Sequence, residues 1–390
     1  MLHPKSTEVN CSGCVGFGRH RRGLATDHPK NTLVPRASLQ HLRASLRSVI
    51  GVRRLYRPCE MAHHPLARPL CKLKAGLRFT VAGHQYLLGG TIGNGAVGIV
   101  RSARDLQSDR RVAVKFLAPD PKYILPEVFD DVAERFRREG QRGAALRHEH
   151  LVEILAYSDN ERGESFRNPR IANPLLVMEF VRGATLESLI RHLGNSREVH
   201  LNPQTLSIAA KVSRALLYFH ERKIIHRDVK PANIYLSTGV PRAVPAQVKL
   251  GDFGVTKWGD FLASVTTGTL TMSSQQGLGT LKYMSPEQAL RPKDVTVRSD
   301  MFSLGITLFE LFSGTILASP HHVFEIMTAR NMRASISGKL LSLGLPRMTV
   351  FDETIFETVL ELFGPASHRP TSKQLAPRFE SWHERFDRGE

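Results

Sequence analysis

No cysteine follows Cys71: all four, Cys11, Cys14, Cys59 and Cys71, lie near the start of the 390-residue chain. A disulfide framework for the remainder is thereby excluded. CSGC (11–14) has C-x-x-C spacing, and Cys59, His63, His64 and Cys71 could complete a metal site, but the second C-x-x-C of a zinc pattern is missing. Acids are scarce in the same region. Between Asp27 and Glu60 there is none, against seven Lys or Arg. Long apolar runs are also missing. FSLGITLFELFSGTIL (302–317) is broken by Glu310 and falls short of the roughly 18 residues a bilayer span needs, so it reads as a buried helix. No charged start leads into an apolar stretch with a small-residue cleavage site, so nothing argues for secretion and a cytoplasmic location is expected.

The composition, 41% hydrophobic and 23% charged, is that of a globular protein with a sizeable core. The net charge of +18 is uneven: residues 1–78 hold 15 basic against 3 acidic residues, a net +12, which leaves +6 for all the rest. That shift marks a boundary near residue 80. Before it, Arg36, Arg43, Arg47 and Arg54 share a helical face beside Leu39, Leu42, Leu46 and Ile50. Such a basic amphipathic stretch could meet an anionic surface through 28–59 or serve as a transit peptide. The alternatives are a disordered, solvated extension, or translation that begins at Met61.

Beyond the boundary, YLLGGTIGNGAVGIVRSA (86–103) sets Gly93, Gly95 and Gly98 as G-x-G-x-x-G between strand-like alternations. Glycines there either serve a hairpin turn or let backbone N–H groups approach phosphate. No helical pattern follows Gly98, and RRVAVKFLA (110–118) reads as another strand, which disfavours a dinucleotide site. Lys115 lies on that strand. Glu139 comes 24 residues later in a helical stretch, within 131–155, that could bring its carboxylate to the lysine.

HRDVKPAN (226–233) then places Asp228, Lys230 and Asn233 within one short segment, and KLGDFGVTK (249–257) adds Asp252 after a strand. Phosphoryl transfer from ATP needs this set: a carboxylate to orient and deprotonate a hydroxyl, a cation near the moving phosphoryl group, and oxygen ligands for Mg²⁺.

From about Tyr86 to about Trp382 the chain resembles the eukaryotic-type (Hanks-type) protein serine/threonine kinases, with a bacterial texture. The glycine loop, VAVK, Glu139, HRDVKPAN, DFG, GTLKYMSPEQ (279–288), Asp300 of SDMFSLG and Arg369 of SHRPT follow in order. The resemblance implies an α+β, bilobal protein kinase fold: residues 1–60 a basic extension, 61–85 a linker, 86–382 the kinase domain (β-rich lobe 86–180, helical lobe 181–382) and 383–390 a tail. It implies that Lys115 holds the phosphates and pairs with Glu139, that Asp228 is the base with Lys230 beside it, and that Asn233 and Asp252 bind Mg²⁺. Ile92, Gly93, Gly95, Gly98, Val100 and Ala113 would cover the nucleotide. Met178 would be the gatekeeper, the Glu179 and Val181 backbones would face adenine, and Tyr235 would stack beneath it.

Lys230 with Thr280 matches the serine/threonine pattern, so Ser and Thr hydroxyls of a protein substrate are the expected acceptors. Glu287 and Arg369 would pair to anchor the activation segment. Arg227, before the base, and Lys257 resemble a pocket for a phosphate carried on that segment, at Ser273 or Ser274, with Thr271 next. Two departures stand out. Gly140 and Gly143 directly follow Glu139, each costing about 0.8–1 kcal/mol relative to Ala in a helix, so a soft helix is expected. STGVPRAVPAQ (237–247) is a long connection that reads as a surface loop. A pseudokinase would show a loss at Lys115, Asp228 or Asp252, and a small-molecule phosphotransferase of related fold would lack the SPE segment with its arginine partner. Neither departure is present.

Overall fold

The structure is a computed structural model, and it describes residues 73–95, 97–119, 129–167, 171–194, 199–237, 247–252, 282–290, 292–317 and 350–388. All belong to Ser48–Glu390, the second of two units into which the chain divides. The basic stretch at 28–59, the cysteines, Lys257, Thr271, Ser273, Ser274 and Thr280 lie outside the described residues.

The first half is a six-stranded antiparallel sheet: β1 (Arg78–Val81), β2 (His84–Asn94), β3 (Gly98–Asp105), β4 (Arg111–Leu117), β5 (Ile154–Ser158) and β6 (Leu175–Glu179), in spatial order β1-β2-β3-β4-β6-β5. Strand alternation sorts β4 into two faces. Val112, Val114 and Phe116 join Phe79, Tyr86, Leu88, Phe166, Leu175 and Val177 in one apolar cluster. Ala113, Lys115 and Leu117 face the other way, toward helix α1 (Phe129–Gly143). β1 lies inside the 61–85 stretch expected to be a linker, because Phe79 and Val81 have places in that cluster and Phe79 stacks on Phe166 at 4.8 Å.

The remaining elements are β7 (Ala184–Thr185), α2 (Leu186–Leu193), α3 (Pro203–Glu221), β8 (Ile234–Leu236), β9 (Val248–Leu250), α4 (Pro286–Leu290), α5 (Val297–Ser313), α6 (Val350–Phe363) and α7 (Ser372–Asp387). The last carries regular structure past Trp382, where the domain was expected to end. β7, β8 and β9 form a small second sheet. The ends of the 237–247 connection are joined by the Ser237 N–H donating to the Gln247 carbonyl at 2.9 Å; most of that connection lies outside the described residues.

Helix α3 starts where Asn202 and Thr205 form a capping box and Pro203 opens the first turn. The apolar run around Glu310 is α5, capped by Thr296, ended by Gly314 at φ 61°, and buried from Ser299 to Ser313. Its Gly305 faces Leu362 of α6 so closely that a Cβ would lie 2.7 Å from the Leu362 Cβ. Glu310, fully buried, accepts bonds from Lys282 Nζ (2.7 Å), the Tyr283 hydroxyl (2.7 Å) and the Leu317 N–H (2.8 Å). Among the described residues no helix is long and apolar enough to cross a membrane.

Candidate active site

Register on the α1-facing side of the sheet explains where Lys115 sits. Across β3, β4 and β6, Val100 pairs with Lys115 and Lys115 with Leu176; two residues on, Ala113 pairs with Met178. Val100, Ala113, Lys115 and Met178 therefore share one surface. Gly98 permits the close approach of β3 and β4, since a Cβ there would overlap the Phe116 carbonyl oxygen. Gly93 and Gly95 are not sterically required in the same way, because a Cβ on either would meet nothing nearer than 3.8 Å. The dinucleotide alternative falls here, since Gly98 opens strand β3 and no helix.

The Lys115 ammonium is buried and lies 3.0 Å from Glu139 Oε1 and 2.7 Å from Asp252 Oδ1. Burial alone would lower its pKa, but Asp252 and Glu139 outweigh that and hold it above the ordinary lysine value. The expected pairing is thus present, joined by the Asp252 carboxylate from 137 residues away. Glu139 reaches the lysine because Phe136, Glu139, Gly140 and Gly143 form the buried stripe of α1.

The residues of HRDVKPAN are placed by a buried acid on α5. Asp300 accepts the His226 N–H at Oδ2 and the Arg227 N–H at Oδ1, both at 2.7 Å, and its Oδ2 lies 2.9 Å from His220 Nε2. Asp300 is fully buried. His226 Nε2 lies 3.2 Å from the Gly251 carbonyl, and burial pushes this imidazole below its ordinary pKa against the pull of Asp300 and Asp228. Asp228 Oδ1 lies 3.0 Å from Lys230 Nζ, and its Oδ2 accepts the Asn233 amide at 2.9 Å. Asn233 also donates to the Asp228 carbonyl at 2.8 Å, so its nitrogen is turned inward and its oxygen remains as the donor for a cation. The Gly251 N–H bonds the Asn233 carbonyl at 2.9 Å, which brings Asp252, at φ 53°, beside Asn233. The Tyr235 hydroxyl approaches Asp252 Oδ2 at 3.4 Å.

Glu179 spends its backbone N–H on the Glu153 carbonyl at 2.8 Å, while its side chain pairs with buried Lys249 at 2.9 Å. Val181 lies two residues beyond the end of β6, after Phe180, and Ile92 on β2 is exposed. Below the site, Arg369 and Glu287 form a two-pronged pair, with Arg369 Nη2 3.1 Å from Glu287 Oε2 and a shorter bond from Nη1 to Oε1. Ser299 donates to the same carboxylate at 2.8 Å. Burial would raise the Glu287 pKa, but Arg369 outweighs it and holds the acid below the usual range.

Among the described residues no group of three or more His, Cys, Asp or Glu could hold a metal by itself. The oxygens of Asn233 and Asp252 fit instead a hard cation that takes one or two protein ligands and completes its shell with phosphate and water, as Mg²⁺ does. Sequence reasoning left three contributors without a role: Asp300 stood only as a landmark, while Lys249 and Tyr157 went unremarked. Gly140 was the available signal for Tyr157, whose ring fills the space a side chain there would take.

Comparison with known proteins agrees with this geometry. The chain is 37% identical over 234 residues to the serine/threonine-protein kinase PknB of Mycobacterium leprae, covering 59% of this chain and 32% of the relative. It is 35% identical over 235 residues to a probable serine/threonine-protein kinase of Streptomyces coelicolor, covering 59% of this chain and 30% of that one. The chain thus spans about a third of the length of these curated relatives. The crystal structure of the Mycobacterium tuberculosis PknI kinase domain superposes with a TM-score of 0.52 at 23% identity, over 80% of this chain and 99% of that one, which shows a shared fold. The protein kinase domain family matches residues 86–375, and the chain belongs to the protein kinase family.

Proposed function

We propose that this chain is an active serine/threonine protein kinase that transfers the γ-phosphoryl group of ATP to Ser and Thr hydroxyls of a protein substrate. The observation that carries the reading is the convergence of Lys115, Glu139 and Asp252 on one side and Asp228, Lys230 and Asn233 on the other, joined by the Asn233–Gly251 backbone bond.

In this reading the Lys115 ammonium aligns the α- and β-phosphates and is itself fixed by Glu139. Val100, Ala113, Met178 and Tyr235 enclose adenine, with Ile92 and the glycine loop covering the phosphates and the Glu179 carbonyl and Val181 N–H at the base edge. Asn233 and Asp252 hold Mg²⁺. Mg²⁺ held by these two oxygens would supply positive charge to offset the negative charge of the phosphates. Asp228 orients the acceptor hydroxyl and takes its proton as the new O–P bond forms and the bond to the β-phosphate oxygen breaks. Lys230 neutralises charge on the moving group.

The kinase domain is taken as the segment from the sheet to α7, with residues 1–60 an accessory extension able to meet anionic surfaces. The need for ATP supports a cytoplasmic location. Control falls to a phosphate on the activation segment, held by Arg227 and Lys257. The test is incubation of purified protein with labelled ATP and Mg²⁺ and identification of the labelled residue: phosphoserine or phosphothreonine supports the reading, and phosphotyrosine or absence of label opposes it.

A further inference from the structure

Helix α1 is expected to be soft because two glycines follow Glu139, yet at one of them, Gly140, the sheet lies too close for any side chain. A Cβ on Gly140 would lie 2.7 Å from Leu176 Cδ2 and equally close to Tyr157 Cγ, with Tyr157 Cδ2 nearer still. These neighbours are not arbitrary. Lys115, Leu176 and Tyr157 are successive cross-strand partners over β4, β6 and β5. Glu139 sits over the first member of that row, and Gly140 over the other two.

The Leu176 methyl group can rotate away from an intruding carbon. The edge of the Tyr157 ring cannot, because its hydroxyl is hydrogen-bonded to Asp159 Oδ1. The same oxygen accepts Arg137 Nε at 3.0 Å, and Arg137 Nη1 reaches Glu134 at 2.6 Å. Arg137 is two residues before Glu139 on α1, so the chain of contacts closes on itself: Glu139, Gly140, Tyr157, Asp159, Arg137 and back to the helix. Each half-exposed ion pair in it is worth little alone. The ring packed under a residue without a side chain is what gives the arrangement its geometry.

We infer that Tyr157, seated under Gly140 and held by Asp159 and Arg137, is a built-in brace that fixes α1 at the height where Glu139 meets Lys115, and that these are positioning residues for phosphoryl transfer. This rests on the kinase reading above. The missing side chain at 140 is therefore a fitted surface, and the helix is kept in place by this chain's own residues.

The experiment measures kcat, KM for MgATP and thermal midpoint for wild type, Gly140→Ala, Tyr157→Leu, the double variant and Asp159→Asn, with rates taken well below each midpoint. A helix lifted by about one ångström misplaces Glu139 enough to lower kcat of Gly140→Ala by about tenfold or more. KM should stay within about threefold, since the apolar walls of the nucleotide site are untouched. Room made by Tyr157→Leu should return the double variant to within about threefold of Tyr157→Leu alone, a non-additive result that a general loss of packing would not give. Wild-type kcat in Gly140→Ala, or a double variant showing the product of both single losses, would overturn the brace. If Gly140→Ala does not fold, Asp159→Asn decides: a severalfold fall in kcat at unchanged KM supports the inference, and a wild-type kcat overturns it. A wild-type protein that transfers no phosphoryl group would overturn the kinase reading instead.

Discussion

Asp300 holds Arg227 in a backbone conformation that an arginine rarely adopts: its Oδ1 accepts the Arg227 N–H at 2.7 Å while Arg227 sits at φ 64°. The next residue is Asp228, so a buried carboxylate on α5 sets the direction of the proposed base. Left-handed backbone at a non-glycine residue costs about 1–3 kcal/mol and persists only when its surroundings enforce it. Here the enforcement is two N–H bonds to one acid that is closed to water.

Asp300→Ala should therefore damage both stability and rate. It strands the buried His226 N–H, at a cost of about 1–3 kcal/mol, and the part-buried Arg227 N–H beside it. Urea unfolding should show the lost stability, and turnover of the folded fraction should fall far more than KM rises. Unchanged turnover would mean that Arg227 is held by something else.

Lys115→Met should reduce transfer by about 100-fold or more, as loss of one charge-stabilising donor does. Nucleotide should still bind, because the methionine leaves the walls built by Val100, Ala113 and Met178 in place. Equilibrium binding of an ATP analogue beside single-turnover rates separates the two effects.

The Glu287–Arg369 pair makes an acid-side prediction. Glu287 has a folded pKa below its unfolded value of about 4.3, so its stabilisation is complete above that pH and is lost as pH falls through the folded pKa. Arg369→Met removes the partner of a buried carboxylate and should cost about 3–5 kcal/mol at neutral pH. In urea titrations the variant should also show a smaller decline in stability below pH 4 than wild type. Equal acid sensitivity in both proteins would show that Arg369 does not govern Glu287.

Phosphate on the segment between Thr266 and Ser274 should raise activity, since it supplies a charge of about −2 to Arg227 and Lys257. Mass spectrometry of active protein should find it at Ser273 or Ser274, and joint Ala replacement of Thr271, Ser273 and Ser274 should lower turnover on an added substrate. Full activity of the triple variant would mean that the enzyme is on by default.

The proposed catalytic groups could be picked from short motifs because phosphoryl transfer restricts residue types and order, and Lys115, Glu139, Asp228, Asn233 and Asp252 lie close together. What holds them was less legible. Gly140 looked like a helix defect, since sequence gives the price of a glycine and not the ring that fills its space. Glu310 looked like an interruption in an apolar run, yet it gathers Lys282, Tyr283 and the Leu317 N–H, contacts that join residues far apart in sequence. β1 was missed because only Phe79 and Val81 mark its inward face.

Asp228 is the group on which the proposed transfer most directly depends. Its carboxylate is held by Lys230 and Asn233, so Asp228→Asn changes the base while keeping the shape of the loop. Phosphoryl transfer from labelled ATP to a protein acceptor should fall by about 100-fold or more, the weight of a positioned general base, with nucleotide affinity and unfolding midpoint close to wild type. Equal transfer by wild type and a folded Asp228→Asn variant would contradict the account.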